Sequence, residues 1–203
     1  MLDTLMKRKL TVVALLATAV LSLSDATALA SGTLAARTLT RADRARLAQY
    51  DSVSKAAILA ARDHGAAGDL REANRALAGA PRRILGDDLL GLYRCRTIKM
   101  GGSLPLTVYG WFSCKIDLDE RGYRLVKTTG SQRFTGHFID ESETRLIYYG
   151  ATHTISERPV SYGYDADRDQ VGYFFKTGPR SYRLELPLPR FESKFDVIEL
   201  ERK

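Results

Sequence analysis

The sequence contains few of the residues that most often carry out chemistry in proteins. Among its 203 residues there are only two cysteines and three histidines, and no G-x-S-x-G, H-E-x-x-H or C-x-x-C spacing occurs. A nucleophile elbow, a zinc-protease helix and a dithiol redox motif are therefore excluded. We expect no metal and no other cofactor, and catalysis is not the leading interpretation.

After its first thirty residues the sequence also lacks any apolar run long enough to cross a bilayer. The start has basic residues at positions 7–9, an apolar segment at positions 10–23 and small residues at positions 28–30. This order is typical of a secretory signal peptide. We predict a signal peptide over residues 1–30, cleavage after Ala30, a periplasmic location and no stable membrane span after cleavage. An uncleaved anchor is the alternative.

The excess of basic charge is modest and dispersed. The net charge is +7, from 31 basic and 24 acidic residues, and the two kinds alternate along the chain. Nucleic-acid-binding domains gather their basic residues on one face or in one run, so we expect no nucleic-acid partner. A weak attraction to anionic lipids or envelope polymers is left open by the charge.

The two cysteines, Cys95 and Cys114, both lie in strand-like sequence. In an oxidising compartment two thiols of this kind usually pair. The loop that such a disulfide closes, about twenty residues, restricts the unfolded chain by about 3 kcal/mol. A free or redox-active pair, or a metal site, is the alternative.

Residues 31–86 are rich in alanine and arginine and predict two helices. Thr40 is a suitable N-cap for the first helix, and Gly65 is a natural stop. The second helix begins at Asp69 and ends at Gly79. An apolar stripe on the first helix consists of Leu47, Tyr50, Val53, Ala57 and Ala60. Because the stripe is narrow and its residues are mostly small, these helices need a larger body to pack on.

Residues 87–203 show alternation, aromatic residues and regularly spaced turn residues, which predict short antiparallel strands. Turns are expected at residues 119–122, 129–131, 140–143 and 177–179. The predicted strands are Leu92–Lys99, Thr107–Ile116, Tyr123–Thr128, Gln132–Asp140, Arg145–Ala151, Val171–Lys176, Ser181–Leu186 and Phe195–Leu200.

The fold class that we predict is α+β, in a single domain over residues 31–203. Two N-terminal helices pack on an antiparallel β-meander of about eight strands. Closure into a barrel is favoured, because it hides the edges of the sheet. The helices either cover the mouth of the barrel or pack on its outer wall, and only the second arrangement leaves the interior open.

One basic cluster is a candidate ligand site. Arg94, Arg96 and Lys99 are close in sequence to Gly101 and Gly102, whose backbone amides can hold an anion. The competing interpretation is a wide hairpin connection with exposed arginines. If the face that holds Leu92 and Ile98 points inward, Arg94 and Arg96 share it and need carboxylate partners or an open barrel end.

The connection at residues 152–170 is too long for a simple turn, and long loops in compact domains are often functional. It holds His153, Tyr162 and Tyr164, and a pair formed by His153 with Glu157 is a candidate general base. A plain surface loop is the alternative. The alternating acids at residues 165–169 lack the glycine and the distal acid of a calcium loop.

Several segments resemble a bacterial family of small exported proteins known only as a domain of unknown function. The most specific are R-C-R-T-I-K at residues 94–99, followed by M-G-G, and F-x-C at residues 112–114; the segments at residues 43–47 and 193–200 are also similar. The resemblance covers roughly Thr40 to Arg202. It implies one domain, export and the pairing of Cys95 with Cys114, and it implies no catalytic residues.

The leading functional hypothesis is a non-catalytic periplasmic protein that binds a small apolar or amphipathic ligand, or an envelope partner. The reason is a sheet rich in aromatic residues without an assembled catalytic set. Two alternatives remain. One is a hydrolase-like enzyme that uses His153 and Glu157, and the other is an inhibitor or assembly factor that docks on another protein.

Overall fold

The computed structural model describes residues 32–203. The predicted signal peptide over residues 1–30 and its cleavage site lie outside the described residues. From residue 32 to residue 203, no helix combines the length and the apolar character that a membrane span requires.

The described chain has helices near its start and strands thereafter. A helical segment at residues 32–38 is followed by α1 (Arg41–Ala48), α2 (Tyr50–His64), α3 (Ala67–Leu77) and the short α4 (Gly86–Leu89). The strands are β1 (Gly91–Met100), β2 (Leu106–Val108), β3 (Phe112–Asp119), β4 (Gly122–Lys127), β5 (Gln132–Ser142), β6 (Arg145–Thr154), β7 (Asp169–Lys176), β8 (Ser181–Pro187) and β9 (Phe195–Arg202).

Eight of the strands form a closed antiparallel barrel. Strand β1 pairs with β3, and each strand from β3 to β9 pairs with the next. Strand β9 then pairs with β1 along Phe195–Arg202 and closes the barrel. Strand β2 extends the sheet beside the last three residues of β1. The predicted antiparallel barrel is confirmed, with one strand more than expected.

Two predicted elements are each divided in the structure. The first helix is interrupted at Gln49, whose backbone leaves the helical region and whose N–H caps α1, so α1 and α2 replace the single helix expected between Thr40 and Gly65. The predicted strand Thr107–Ile116 becomes β2 and β3, because β2 pairs with the end of β1 and β3 with its beginning. Gly110 lies in the break, where a strand is weakest.

The interior of the barrel and its outer wall carry separate apolar clusters. Inside, large residues that are fully buried include Tyr93, Tyr148 and Phe174. Outside, small residues of α2 and α3 pack on β1 and β9, while α1 packs on β5, β6 and β7. Of the two arrangements that the sequence left open, the helices therefore adopt the one on the outer wall.

Helix α4 plugs one end of the barrel. Leu89 is 2% exposed and belongs to the interior cluster. The hydroxyl of Tyr93 donates to the carbonyl of Leu89 (2.6 Å), and that of Tyr182 donates to the carbonyl of Asp88 (2.8 Å). The side chain of Asp88 also forms an ion pair with Lys176. Apolar packing and hydrogen bonds thus fix this short helix in place.

A disulfide joins Cys95 to Cys114, and the distance between their Cα atoms is 5.8 Å. Cys95 lies on β1 and Cys114 on the adjacent β3, and both side chains face the barrel interior. The pairing expected from the sequence is therefore present as a link between two neighbouring strands.

Candidate ligand-binding cavity

The end of the barrel opposite α4 holds a cavity of about 790 Å³. Its wall is made of interior-facing side chains near the strand ends, and its rim is made of residues from the connections at 155–168 and 188–194. Phe112, Phe134 and Ile198 supply apolar surface, and Thr152 and Gln170 supply polar groups. The cavity is open because the helices lie elsewhere.

Lys127 is the most unusual residue of this cavity. The alternation of β4 places it on the same face as Leu125, which is fully buried inside the barrel. Lys127 is 8% exposed, and its ammonium lies 4.0 Å from the centre of the Phe112 ring. Burial, together with the charge of Arg133, lowers the pKa of Lys127 below its usual value.

Lys99 lies in the same cavity in a different electrostatic state. Its ammonium is 3.1 Å from a carboxylate oxygen of Glu192 and 3.5 Å from one of Asp196. Burial alone would lower the pKa of Lys99, but these two carboxylates raise it above its usual value. Lys99 is therefore already neutralised by the protein.

Arg94 and Arg96, which the sequence groups with Lys99, lie on the outer wall instead. Residues 94 and 96 point to one side of β1 and residue 99 to the other, because side chains alternate along a strand. The outer face is also that of Leu92 and Ile98, so the condition under which the two arginines would face the interior does not hold. The structure does not bring the three basic residues together.

Each of these two arginines has carboxylate partners. Arg94 is 2.7 Å from Glu201, and Arg96 is 2.7 Å from Glu199 and 2.8 Å from Glu72 of α3. Both guanidinium groups also lie over the ring of Trp111, at 4.3 and 4.5 Å from its centre. These contacts tie β1 to β9, to α3 and to the residue that precedes β3.

His153 and Glu157 border the cavity but are not joined by a hydrogen bond. His153 is 7% exposed; its Nδ1 contacts the carbonyl of Thr154 at 3.0 Å, and its Nε2 has no partner within residues 32–203. Glu157 accepts two hydrogen bonds from Arg168 (2.8 and 2.9 Å) and one from the backbone of Thr154. These bonds lower the pKa of Glu157 to about 2. Glu157 is therefore an anion at neutral pH and stabilises the loop through these bonds.

The two tyrosines of the long connection have separate environments. The hydroxyl of Tyr162 donates to Asp43 of α1 and accepts from the backbone N–H of Thr40 (3.0 Å). Its ring packs edge-on against Tyr149 of β6. Tyr164, in contrast, is 81% exposed. Tyr162 thus fastens α1 to the barrel, and neither tyrosine lines the cavity.

Sequence reasoning overlooked Lys127, although the signal was present. The predicted strand Tyr123–Thr128 already alternates Tyr123, Leu125 and Lys127 on one face. A lysine on the apolar face of a strand is uncommon, because buried lysines are rare unless they are paired.

No group of three or more residues suited to hold a metal occurs in the described part of the chain.

Fold and cavity together define a class of protein: a small antiparallel barrel that is plugged at one end and open to a cavity of mixed polarity at the other. The chain belongs to the family described as "Domain of unknown function (DUF4893)", whose model matches residues 36–200. The membership in a family of unknown function that the sequence segments indicated is thereby confirmed. No curated protein matches the chain.

Proposed function

We propose that the protein is an exported, non-catalytic binding protein that takes a small amphipathic ligand into the open end of its barrel. The observation that carries this proposal is the cavity of about 790 Å³ inside a barrel whose other end is plugged. Pockets for small ligands commonly have volumes of about 300 to 1,000 Å³ and combine apolar walls with a few polar groups. Barrels of eight strands are wide enough for one such ligand.

The organisation that goes with this proposal is a signal peptide over residues 1–30 and one domain over residues 31–203, located in the periplasm. The disulfide is consistent with an oxidising compartment. The family match, residues 36–200, includes helices and barrel together, which supports a single unit with a helical part (31–86) and a β part (87–203).

A hydrolase that uses His153 and Glu157 has less support. A general base must accept a proton at the pH of the reaction. Glu157 is held as an anion by Arg168 and Thr154, and it does not orient His153. For an envelope partner, no contact within residues 32–203 gives support comparable to that of the cavity for a small ligand.

The proposal is tested by filling the cavity. Thr97 lies on the interior face of β1 and lines the cavity. We expect Thr97→Trp to abolish the binding of N-phenyl-1-naphthylamine, a neutral dye whose fluorescence rises in apolar surroundings. Thr152→Trp, on the opposite wall, should do the same. Lys115→Trp, on the outer face of β3, is the matched control and should bind the dye normally.

The outcome depends on the unaltered protein as well as on the variants. If the unaltered protein does not bind the dye, and if native mass spectrometry of protein purified from its compartment shows no bound molecule, the proposal is wrong. It is also wrong if folded Thr97→Trp and Thr152→Trp proteins, checked by circular dichroism, bind the dye as tightly as the unaltered protein.

A further inference from the structure

We infer that Lys127 is an anion-binding residue, and that the ligand of the cavity is an apolar molecule with one anionic oxygen head group, a carboxylate or a phosphate. This inference rests on the proposed function and specifies its ligand. It begins from a buried cation that the protein itself does not neutralise.

Lys127 differs in its partners from the other buried basic residue, Arg96. Arg96 and Lys127 are the two lysine or arginine residues that are more than nine-tenths buried within residues 32–203. Arg96 is held by Glu199 and Glu72. For the ammonium of Lys127, the structure from residue 32 to residue 203 shows no ion pair and no hydrogen bond. Lysine side chains are almost never this buried unless they are paired, and Lys127 lines the open cavity, where a ligand can reach it.

The surroundings of Lys127 favour an anion over any other partner. The nearby charge is that of Arg133, which is also positive and which donates to the carbonyl of Gly130 (3.1 Å). The turn passes close to the ammonium: a Cβ at Gly130 would lie 3.5 Å from Nζ of Lys127. Within residues 32–203 neither Lys127 nor Arg133 forms an ion pair, so the protein offers no carboxylate that neutralises these two cations.

The cavity wall around Lys127 is apolar and indicates the chemistry of the rest of the ligand. The ammonium rests over the ring of Phe112, which stabilises the cation through its π electrons but leaves its N–H groups free for an acceptor. Phe134 and Ile198 continue the apolar surface toward the interior. An apolar body next to an anionic head group matches this arrangement.

The experiment uses isothermal titration calorimetry of the full protein with three probes of equal chain length: decanoate, decyl phosphate and decan-1-ol. We expect the unaltered protein to bind both anions at least about tenfold more tightly than the alcohol, as a charge-assisted hydrogen bond implies. Lys127→Met removes the ammonium, and with it the cation–π contact to Phe112, but keeps an unbranched apolar side chain of nearly the same length. It should weaken the binding of both anions by about 10- to 100-fold and leave the affinity for the alcohol within about twofold.

Lys115→Met is the matched control, because Lys115 lies on the outer face of the neighbouring strand and pairs with Asp117. It should leave all three affinities unchanged. Acetate and inorganic phosphate carry the head group alone, and we expect them to compete weakly; competition as strong as that of decanoate would overturn the requirement for an apolar body.

The inference and the proposed function fail in different ways. If decan-1-ol binds as tightly as decanoate to the unaltered protein, or if Lys127→Met binds decanoate normally, the anion site is refuted while the cavity remains a binding site. If none of the three probes binds and the neutral dye does not bind either, the proposed function itself is refuted. The comparison of probes on the unaltered protein decides the question even if Lys127→Met does not fold.

Discussion

Removal of the disulfide between Cys95 and Cys114 shows how far the barrel depends on the link between β1 and β3. The two cysteines are 19 positions apart, and closing a loop of that length removes about 11 cal/mol/K of entropy from the unfolded chain, or about 3 kcal/mol at 25 °C. Because both sulfur atoms are buried inside the barrel, alanine at both positions adds a small cavity that costs about 1 kcal/mol. We expect a total loss of about 3 to 4 kcal/mol.

For a domain of this size, such a loss lowers the melting temperature by roughly 6 to 16 °C. Thermal unfolding followed by circular dichroism compares the double variant Cys95→Ala/Cys114→Ala with the unaltered protein, before and after reduction by dithiothreitol. Reduction should reproduce most of the decrease, since it restores the freedom of the unfolded loop without removing the sulfur atoms. A decrease below about 2 °C in both experiments would refute the reasoning, because the link would then not constrain the unfolded state.

Two further predictions concern the plug and the rim of the barrel. Leu89→Ala leaves a cavity at the end of the barrel that α4 closes, so it should destabilise the protein by about 2 to 5 kcal/mol in urea unfolding. Leu85→Ala, at an exposed position, is the control. Equal losses of stability in the two variants would contradict the idea that α4 closes the barrel by packing Leu89 inside it. Glu157→Gln should loosen the loop held by Arg168 and speed its amide hydrogen exchange at pH 7. Because folding lowers the pKa of Glu157 from 4.5 to about 2, the stability that its charge contributes is complete above pH 4.5 and is lost as the pH falls toward 2. If the difference in exchange between Glu157→Gln and the unaltered protein does not shrink over this range, the charge of Glu157 does not hold the loop.

Much of the barrel could be predicted from local sequence, because strand patterns and turn residues act over a few positions. The turns at residues 119–122 and 177–179 are of this kind, whereas the pairing of Cys95 with Cys114 is expected from an oxidising compartment and from the family resemblance. The break at Gln49 is different, because the helical pattern continues through it. It depends on where α1 and α2 find apolar surface on the barrel, and this is a tertiary contact.

The candidate site was harder to predict because proximity in sequence is a poor guide to proximity in a sheet. Arg94, Arg96 and Lys99 are close in sequence. Because side chains alternate along a strand, however, the two arginines lie on the outer face of β1 and Lys99 lies on its inner face. The hydrogen bond between Tyr162 and Asp43 joins residues 119 positions apart, and no local sequence pattern predicts it. The same two-residue period, applied to β4, would have placed Lys127 on the interior face.

The pairing of β9 with β1 determines when the barrel can exist during synthesis. Arg94 and Glu201, neighbours across this seam, are 107 positions apart in the chain. Contacts of such separation form slowly, and until β9 emerges, β1 and β8 remain open edges. A chain whose strand β9 has not yet left the ribosome therefore has no closed wall around its cavity. The protein acquires its interior, and with it any capacity to hold a ligand there, only when β9 has joined β1.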